Sequence, residues 1–108
     1  MMNNKKHNDH VCKVGIFTKM LGGKWKLAIL WNLRNKKLRF GQLASIMDGV
    51  SRKVLSDQLH QLENDGLILR KSFNETPPRV EYSKTNIAKK LEPLFLKLEE
   101  WIDENYTN

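Results

Sequence analysis

The chain has 108 residues, one cysteine and a net charge of +7. This length fits one domain with its own hydrophobic core. A lone Cys12 excludes a disulfide within the chain and favours a reducing compartment such as the cytoplasm. The longest apolar run, residues 27–31, is far too short to span a bilayer, and residues 1–10 lack the apolar stretch of a secretion signal. We therefore expect a cytoplasmic protein that makes no membrane contact.

The charge is distributed unevenly along the chain. Residues 1–53 contain twelve Lys or Arg against two Asp or Glu, whereas residues 54–108 contain seven against ten. A basic half joined to a mildly acidic half favours one surface for a polyanion such as nucleic acid. Ordinary solvated lysines would give the same composition, so the charge alone does not decide between the two interpretations.

The first ten residues, rich in Asn, Lys and His, are predicted to be a flexible arm, with residues 11–108 forming a single domain. After the arm, the apolar periodicity predicts two helices. The first ends at Gly22 and Gly23, because glycine tolerates the left-handed conformation that closes many helices. The second, over residues 24–34, is apolar around most of its circumference and should be buried centrally.

Two further helices follow, separated by about four residues, which are the proportions of a helix-turn-helix. Residues 40–47 repeat apolar side chains at helical spacing, and Asp48-Gly49 is a turn signal. Ser51 can cap the next helix, because its hydroxyl can accept from a free amide of the first turn. The buried stripe of that helix consists of Leu55, Leu59 and Leu62.

The periodicity changes after this helix. Residues 67–73 and 80–83 are short β-prone runs, and the loop between them contains Pro77 and Pro78, which no helix could accommodate. We predict a two-stranded hairpin here, followed by a return to helical periodicity. The order of four helices, a hairpin and a terminal helical segment describes a winged helix-turn-helix: mostly α with a small β-hairpin, an α+β fold.

Four segments of the sequence occur in the order and spacing of a known family. They are residues 22–25 (GGKW), 39–43 (RFGQL), 59–68 (LHQLENDGLI) and 77–82 (PPRVEY). With these segments the chain resembles the HxlR family of bacterial transcriptional regulators, which is related to MarR-type regulators. The resemblance covers roughly residues 12–101. It implies a winged-helix repressor or activator that binds double-stranded DNA as a homodimer held by its terminal helices.

Two positions depart from the family pattern. Lys84 stands where the family tends to have an apolar residue, and Ala88 stands where the family often has Gly. Both positions lie at the join between the wing and the last helix. They do not affect the expectation of DNA binding, but they can alter the orientation of the wing relative to the last helix.

The helix that begins at Ser51 is the predicted recognition helix. With its leucine stripe facing inward, its outward face is polar, and bases are read mainly from the N-terminal part of such a helix. The predicted DNA contacts on it are Ser51, Arg52, Lys53, Ser56, Asp57, His60 and Gln61. Arg or Lys can donate to guanine and an acid can accept from cytosine, although Asp57 is expected to pair with Lys53 at i, i+4. A merely solvated helix face is the alternative.

Four more basic residues are predicted to contact DNA. Arg79 follows the two prolines at the hairpin tip, where a stiffened loop suits a minor-groove or phosphate contact. An exposed turn arginine without such a contact is the alternative. Lys36, Lys37 and Arg39 precede the third helix and are expected to contact phosphates, which position the protein without reading sequence.

Cys12 is the predicted sensor of oxidants or electrophiles, a role that the family resemblance implies for many members. Cationic neighbours and a helix N-terminus favour the reactive thiolate, and Cys12 lies near Lys13 and His10 at the expected start of a helix. As a lone cysteine it could form a disulfide only between chains or with a small thiol. A small buried hydrophobe is the alternative.

The terminal helices are the predicted homodimer interface. From Thr85 onward the apolar stripe is too long for one small domain to cover, and Pro93 predicts a kink or two abutting helices. The predicted interface residues are Val14, Phe17, Leu91, Leu94, Leu98, Trp101 and Ile102. A dimer could place two recognition helices in successive major-groove turns of an inverted-repeat operator.

No pattern in the chain predicts catalysis. His10 and Cys12 are too few ligands for a metal site, and neither a phosphate-binding loop nor a nucleophile paired with a base is present. We therefore expect no metal, no cofactor and no enzyme activity. A winged-helix module that binds proteins without specific DNA binding is the alternative function.

Overall fold

The computed structural model describes the backbone of residues 5–106 and the side chains of residues 12–106. Three strands form one antiparallel sheet in the order β1-β3-β2. The helices and strands are α1 (Lys5–Leu21), α2 (Lys26–Asn32), β1 (Leu38–Arg39), α3 (Phe40–Ile46), α4 (Arg52–Asn64), β2 (Ile68–Phe73), β3 (Arg79–Lys84), α5 (Asn86–Lys89) and α6 (Glu92–Asn105). The predicted order of helices, hairpin and terminal helical segment is thus confirmed.

The core lies between α2, α3, α4 and one face of the sheet. Leucine and isoleucine dominate it because each of these helices turns one apolar stripe inward. The largest fully buried side chains are Ile29, Leu30, Leu33, Leu43, Leu55, Leu59, Leu62 and Ile68. The predicted central position of the second helix and the predicted leucine stripe of the fourth are both confirmed.

The second helix is shorter than predicted. It spans Lys26–Asn32 instead of residues 24–34, because residues 23–25 form a bend in which Gly23 has a φ of 89°. A positive φ suits glycine, which has no Cβ to clash with the backbone. The chain therefore needs four residues, 22–25, after the first helix before it can re-enter helical geometry.

The predicted two-stranded hairpin is confirmed, and the sheet contains one further strand that the sequence did not predict. The hairpin of β2 and β3 is present, with Phe73 opposite Arg79 at the tip end and Ile68 opposite Lys84 at the base. A third strand, β1, pairs with β3 through Leu38 opposite Tyr82. A strand of two residues has no periodicity to detect, and only its pairing with a distant segment makes it a strand.

Helix α1 begins before the position that the sequence predicted. Lys5–His10 belong to the helix, so the start expected near Cys12 is wrong. Residues 1–4, the first part of the predicted arm, lie outside the described residues. From Cys12 to Lys19 every side chain of α1 is exposed, and the first buried one is Leu21.

The C-terminal segment consists of two abutting helices, which is one of the two predicted arrangements. Thr85 caps α5 by accepting from the Ala88 N–H at 3.2 Å, and Ala88 itself is fully buried. Pro93 lies in the first turn of α6, where its missing N–H would have had no helical partner. Phe95 is buried and packs edge-on against Trp31, with ring centroids 5.7 Å apart. None of the described helices is long and apolar enough to cross a membrane.

Candidate nucleic-acid interface

The N-terminal part of α4 presents polar side chains from a rigid support. Ser51 caps the helix, because its Oγ accepts from the Val54 N–H at 3.0 Å. The buried leucine stripe holds the opposite face in the core. The predicted contacts on this helix are all exposed: Ser51, Arg52, Lys53, Ser56, Asp57, His60 and Gln61. The structure therefore brings these seven residues onto one accessible surface.

Lys53 and Asp57 form the predicted pair. The Lys53 Nζ lies 3.2 Å from Asp57 Oδ2, and both side chains are largely exposed to water. Water and salt screen an exposed pair, so it contributes little to stability. A DNA phosphate could therefore compete with the carboxylate for the ammonium at small cost.

Arg52 connects the recognition helix to the helix before it. Its guanidinium carbon lies 4.8 Å from the centroid of the Phe40 ring at the start of α3. Stacking on an aromatic face restricts the side chain while leaving the planar N–H donors free at its edge. This geometry suits a bidentate contact with guanine or with a phosphate.

Arg39 lies where the chain enters α3 and is exposed. Its backbone N–H donates to Gln42 Oε1 at 2.8 Å, which secures the start of that helix. Lys36 and Lys37 are exposed in the loop before β1. Because β1 pairs with β3 at Tyr82 and Glu81, that loop is near the base of the wing and not its tip.

Arg79, the predicted minor-groove or phosphate contact at the hairpin tip, is held by neighbouring residues of the wing. Its guanidinium stacks on the Phe73 ring at 4.0 Å, and its nitrogens lie 3.0 Å from Glu75 Oε2 and 3.6 Å from Glu81 Oε2. Only 26% of its side chain is accessible. Two carboxylates already neutralise this cation, so its charge is compensated within the wing.

Two exposed basic residues of the wing were missed by the sequence analysis. Arg70 and Lys71 lie on β2 with exposed side chains. Lys71 Nζ is 5.1 Å from the Phe73 ring. The sequence signal that could have revealed them is that two basic residues are adjacent in a run that was predicted to be a strand of the wing.

Cys12 is exposed on α1. The alternative of a small buried hydrophobe therefore does not hold in the described chain. The helix begins seven residues earlier, at Lys5, so the N-terminal dipole argument does not apply to this thiol, because that field falls off within the first turn. Lys13 is exposed beside it, while the His10 side chain lies outside the described residues.

Most of the predicted interface side chains are exposed in the single chain. On α1 these are Val14 and Phe17. On α6 they are Leu94, Leu98, Trp101 and Ile102, with 41–53% of each residue exposed. Leu91 is half-buried against the chain's own core, so its place in the interface stays a prediction.

The sequence analysis also missed exposed apolar residues on the same two helices. Ile16 and Leu96 are each 56% exposed, and Tyr106 is 70% exposed. Tyr106 packs on Trp101 with ring centroids 5.1 Å apart. Within the residues whose structure is described, no three His, Cys, Asp or Glu side chains are placed to hold a metal ion.

A capped, outward-facing α4 behind a short α3, followed by a hairpin wing, defines a winged helix-turn-helix protein of the transcription-regulator class. A family model of HxlR-like helix-turn-helix proteins matches residues 20–108. The chain belongs to this family of transcriptional regulators.

Relatives of known sequence and structure agree with this membership. The uncharacterized HTH-type transcriptional regulator YybR of Bacillus subtilis (strain 168) is 35% identical over 98 residues, which cover 91% of this chain and 78% of YybR. The redox regulator HypR in its oxidized form has a TM-score of 0.80 at 35% identity, covering 87% of this chain and 97% of that one. The reduced form of the transcriptional regulator YodB from B. subtilis has a TM-score of 0.77 at 26% identity, covering 87% and 92%.

Proposed function

We propose that this protein is a cytoplasmic, homodimeric, sequence-specific regulator without enzyme activity that binds an inverted-repeat operator as a repressor or activator. The observation that carries the proposal is the outward face of α4. Arg52, Lys53 and Ser56 project from the first turns of a helix whose other face is locked in the core. A preorganised helix loses little conformational entropy when it enters the major groove.

Within this proposal the side chains divide by role. Arg52, Lys53 and Ser56 read base edges, with Asp57 holding Lys53 until a phosphate or base replaces it. His60 and Gln61, two turns further along α4, contact the flanking backbone. Arg39, Lys36 and Lys37 bind phosphates from the loop before α3 and set the orientation. On the wing, Arg70 and Lys71 take over the phosphate contacts first assigned to Arg79, whose charge is already neutralised.

The dimer follows from the exposed apolar faces of α1 and α6. Contiguous apolar surface of this kind on a soluble chain marks an interaction site. A two-fold pairing buries the same patch from both chains. It also relates the two α4 helices by the same axis, which is the symmetry of an inverted repeat.

The proposal is tested by selecting fragments of the host genome on the purified protein at about 150 mM salt, where non-specific phosphate binding is weak. The expected result is enrichment of a few intergenic fragments that share an inverted repeat. The Arg52→Ala variant should lose this enrichment, while Lys97→Ala on α6 should retain it. Uniform recovery by the wild-type protein in the presence of reductant would show a non-specific DNA binder, and no recovery would favour the protein-binding alternative; either result would contradict a specific regulator.

We further propose that Cys12 makes the regulator responsive to oxidants or electrophiles. HypR is described as a redox regulator, and its structure has been solved in oxidized and reduced forms. The structure of YodB has been solved after diamide treatment. In this chain Cys12 is exposed on α1, the helix assigned to the dimer interface. Two Cys12 thiols, one from each chain, would give up two protons and two electrons to an oxidant such as diamide and form one disulfide.

The Cys12 role has its own test. Cys12→Ser should bind the selected operator with unchanged affinity but should no longer respond to diamide in a mobility-shift assay. Non-reducing electrophoresis should show a linked dimer for the wild-type protein only. An undiminished diamide response in Cys12→Ser would remove this thiol from the mechanism.

A further inference from the structure

A basic cleft lies between the α2–β1 loop, the base of the wing and the C-terminal helices. Its volume is about 880 Å³, within the range of small-molecule sites in proteins. The charged residues that line it are Arg34, Lys36, Lys37, Lys84, Lys89 and Glu92. Five cations against one carboxylate produce a strongly positive local field, which favours an anion.

Lys84 is the unusual member of this lining. Its side chain is 1% exposed, and its Nζ lies 2.7 Å from Glu92 Oε2. Within the described part of the chain this carboxylate oxygen is the ion-pair partner of Nζ, and Nζ has no hydrogen-bond partner of good geometry. An ammonium has three N–H donors, and leaving them unfilled in a buried site is costly.

From these observations we propose that the cleft is a binding site for a small organic phosphate with a hydroxylated body, whose anionic oxygens satisfy Lys84. The buried ammonium and the surrounding cations suit a doubly charged phosphate group. Ser83, Asn35 and Asn86 also line the cleft and bring hydroxyl and amide groups to it. Such groups can hydrogen-bond the hydroxyls of the ligand.

The ligand reaches Lys84 by replacing Glu92 as its counter-ion. Lys84 is closed to solvent, whereas the Glu92 side chain is 33% exposed and can turn outward. Glu92 is the first residue of α6, and Lys84 is the last residue of β3. The exchange therefore acts where the wing is joined to the helix assigned to the dimer interface, so that ligand binding alters DNA affinity. This last step rests on the proposed function.

A small ligand suits this cleft better than the DNA backbone does. The strand register places Lys84 opposite Ile68, at the other end of the hairpin from the Phe73–Arg79 tip. A duplex held by α4 and the wing can contact Lys36 and Lys37 at the rim of the cleft, but it cannot reach Lys84, whose side chain is 99% buried at the base. DNA contact with the cleft remains an outcome that the experiment separates.

Binding is measured without DNA, by calorimetry on the full chain with ribose 5-phosphate, inorganic phosphate, sulfate and uncharged ribose as probes. We expect ribose 5-phosphate to bind with a Kd between about 10 μM and 1 mM, more tightly than inorganic phosphate, with no binding of ribose. Because Glu92 competes with the ligand, Glu92→Gln should bind about tenfold more tightly. Lys84→Met/Glu92→Gln should lose binding by tenfold or more.

Further variants distinguish binding in the cleft from the general attraction of an anion to a basic protein. Lys89→Gln should weaken binding several-fold, because it removes one cation of the cleft, while Lys97→Gln, which removes an equal charge from α6 elsewhere, should leave it unchanged. Replacing a buried ion pair by uncharged side chains is often neutral for stability, and circular dichroism with thermal melting will show that the double variant folds. No binding of either phosphate at about 10 mM, or binding that is the same without Lys84, would overturn the site.

The regulatory step is then measured on the selected operator. Ribose 5-phosphate should change the operator affinity of the wild-type protein about fivefold or more and leave that of the Lys84→Met/Glu92→Gln variant unchanged. Ligand binding with no change in operator affinity would overturn the coupling. If Lys89→Gln loses operator affinity and no phosphate binds, the cleft belongs to the DNA surface and the proposal fails. Because ligand binding is measured first, its failure is distinguishable from a failure of DNA binding.

Discussion

Helices α4 and α6 are amphipathic and almost equal in length, with 13 and 14 residues, yet they use their apolar faces differently. In α4 the stripe of Leu55, Leu59 and Leu62 is completely enclosed by the rest of the chain. In α6 only Phe95 is buried, and the remaining apolar side chains are exposed. A single chain buries the apolar face of α4 but leaves most of the apolar face of α6 exposed.

We interpret this difference as a separation of the proposed DNA recognition by α4 from the proposed dimer assembly by α6. The enclosed stripe of α4 makes the helix rigid, so its polar face can be held in position for DNA. The open stripe of α6 has no function in a lone chain and costs solubility, which is the property expected of a dimer interface. The following predictions change each face in turn.

The largest effect is expected when the enclosed stripe of α4 is shortened. Leu59→Ala should lower the free energy of unfolding by about 2–5 kcal/mol, because it removes buried surface and leaves a cavity. Urea denaturation followed by circular dichroism measures the change. Gln61→Ala, on the exposed face of the same helix, is the matched control and should change stability by less than about 0.5 kcal/mol.

The next largest effect is expected on the open stripe of α6. Leu98→Lys should weaken the dimer by about 100-fold or more, since it buries an unpaired ammonium in an apolar interface, while leaving the monomer folded. Analytical ultracentrifugation over a range of protein concentrations measures the dissociation constant. Glu100→Lys introduces the same side chain on the polar side of α6 and should leave the dimer intact. An unchanged dimer in Leu98→Lys would place the interface elsewhere.

A smaller effect is expected on the outward face of α4. Arg52→Ala should weaken operator binding by about 10–100-fold, because it removes a stacked, preorientated guanidinium from the DNA contact. Fluorescence anisotropy with the selected operator at fixed salt measures the affinity. An affinity that falls no further than that of Lys97→Ala would exclude Arg52 from the interface.

The smallest effect is expected when the exposed ion pair of α4 is broken. Asp57→Ala should change the free energy of unfolding by less than about 0.5 kcal/mol, because exposed pairs contribute little. Operator binding should be equal or tighter, since Lys53 is then free for DNA. A loss of operator affinity together with relaxed preference at one base pair would instead show that Asp57 reads a cytosine.

Much of the α4 side of this comparison could be predicted from sequence. Residues three or four positions apart form the Ser51 cap, the leucine stripe and the Lys53–Asp57 pair. Helical geometry alone places such residues next to each other. The α6 stripe was visible for the same reason. Whether each stripe would be covered, however, depends on segments that are distant in the sequence.

Two features could not have been predicted locally. Strand β1 exists because Leu38 finds Tyr82, more than forty positions away. Arg79 is neutralised because the hairpin brings Glu75 and Glu81 against it, while its guanidinium stacks on Phe73. In each case the tertiary fold determines which residue becomes the partner. The spacing of residues along the sequence does not reveal that partner.

The sequence by itself determined the helices, the wing and the polar face of α4, because these follow from periodicity, capping and turn chemistry over a few residues. Four short segments carried the resemblance to the family. Only the tertiary structure decided which cations are free and which are neutralised, and that Lys84 is buried against Glu92 at the base of the wing. Burial and ion pairing are set by which elements pack together, and the energy of a charge depends on that environment more than on its neighbours in the chain.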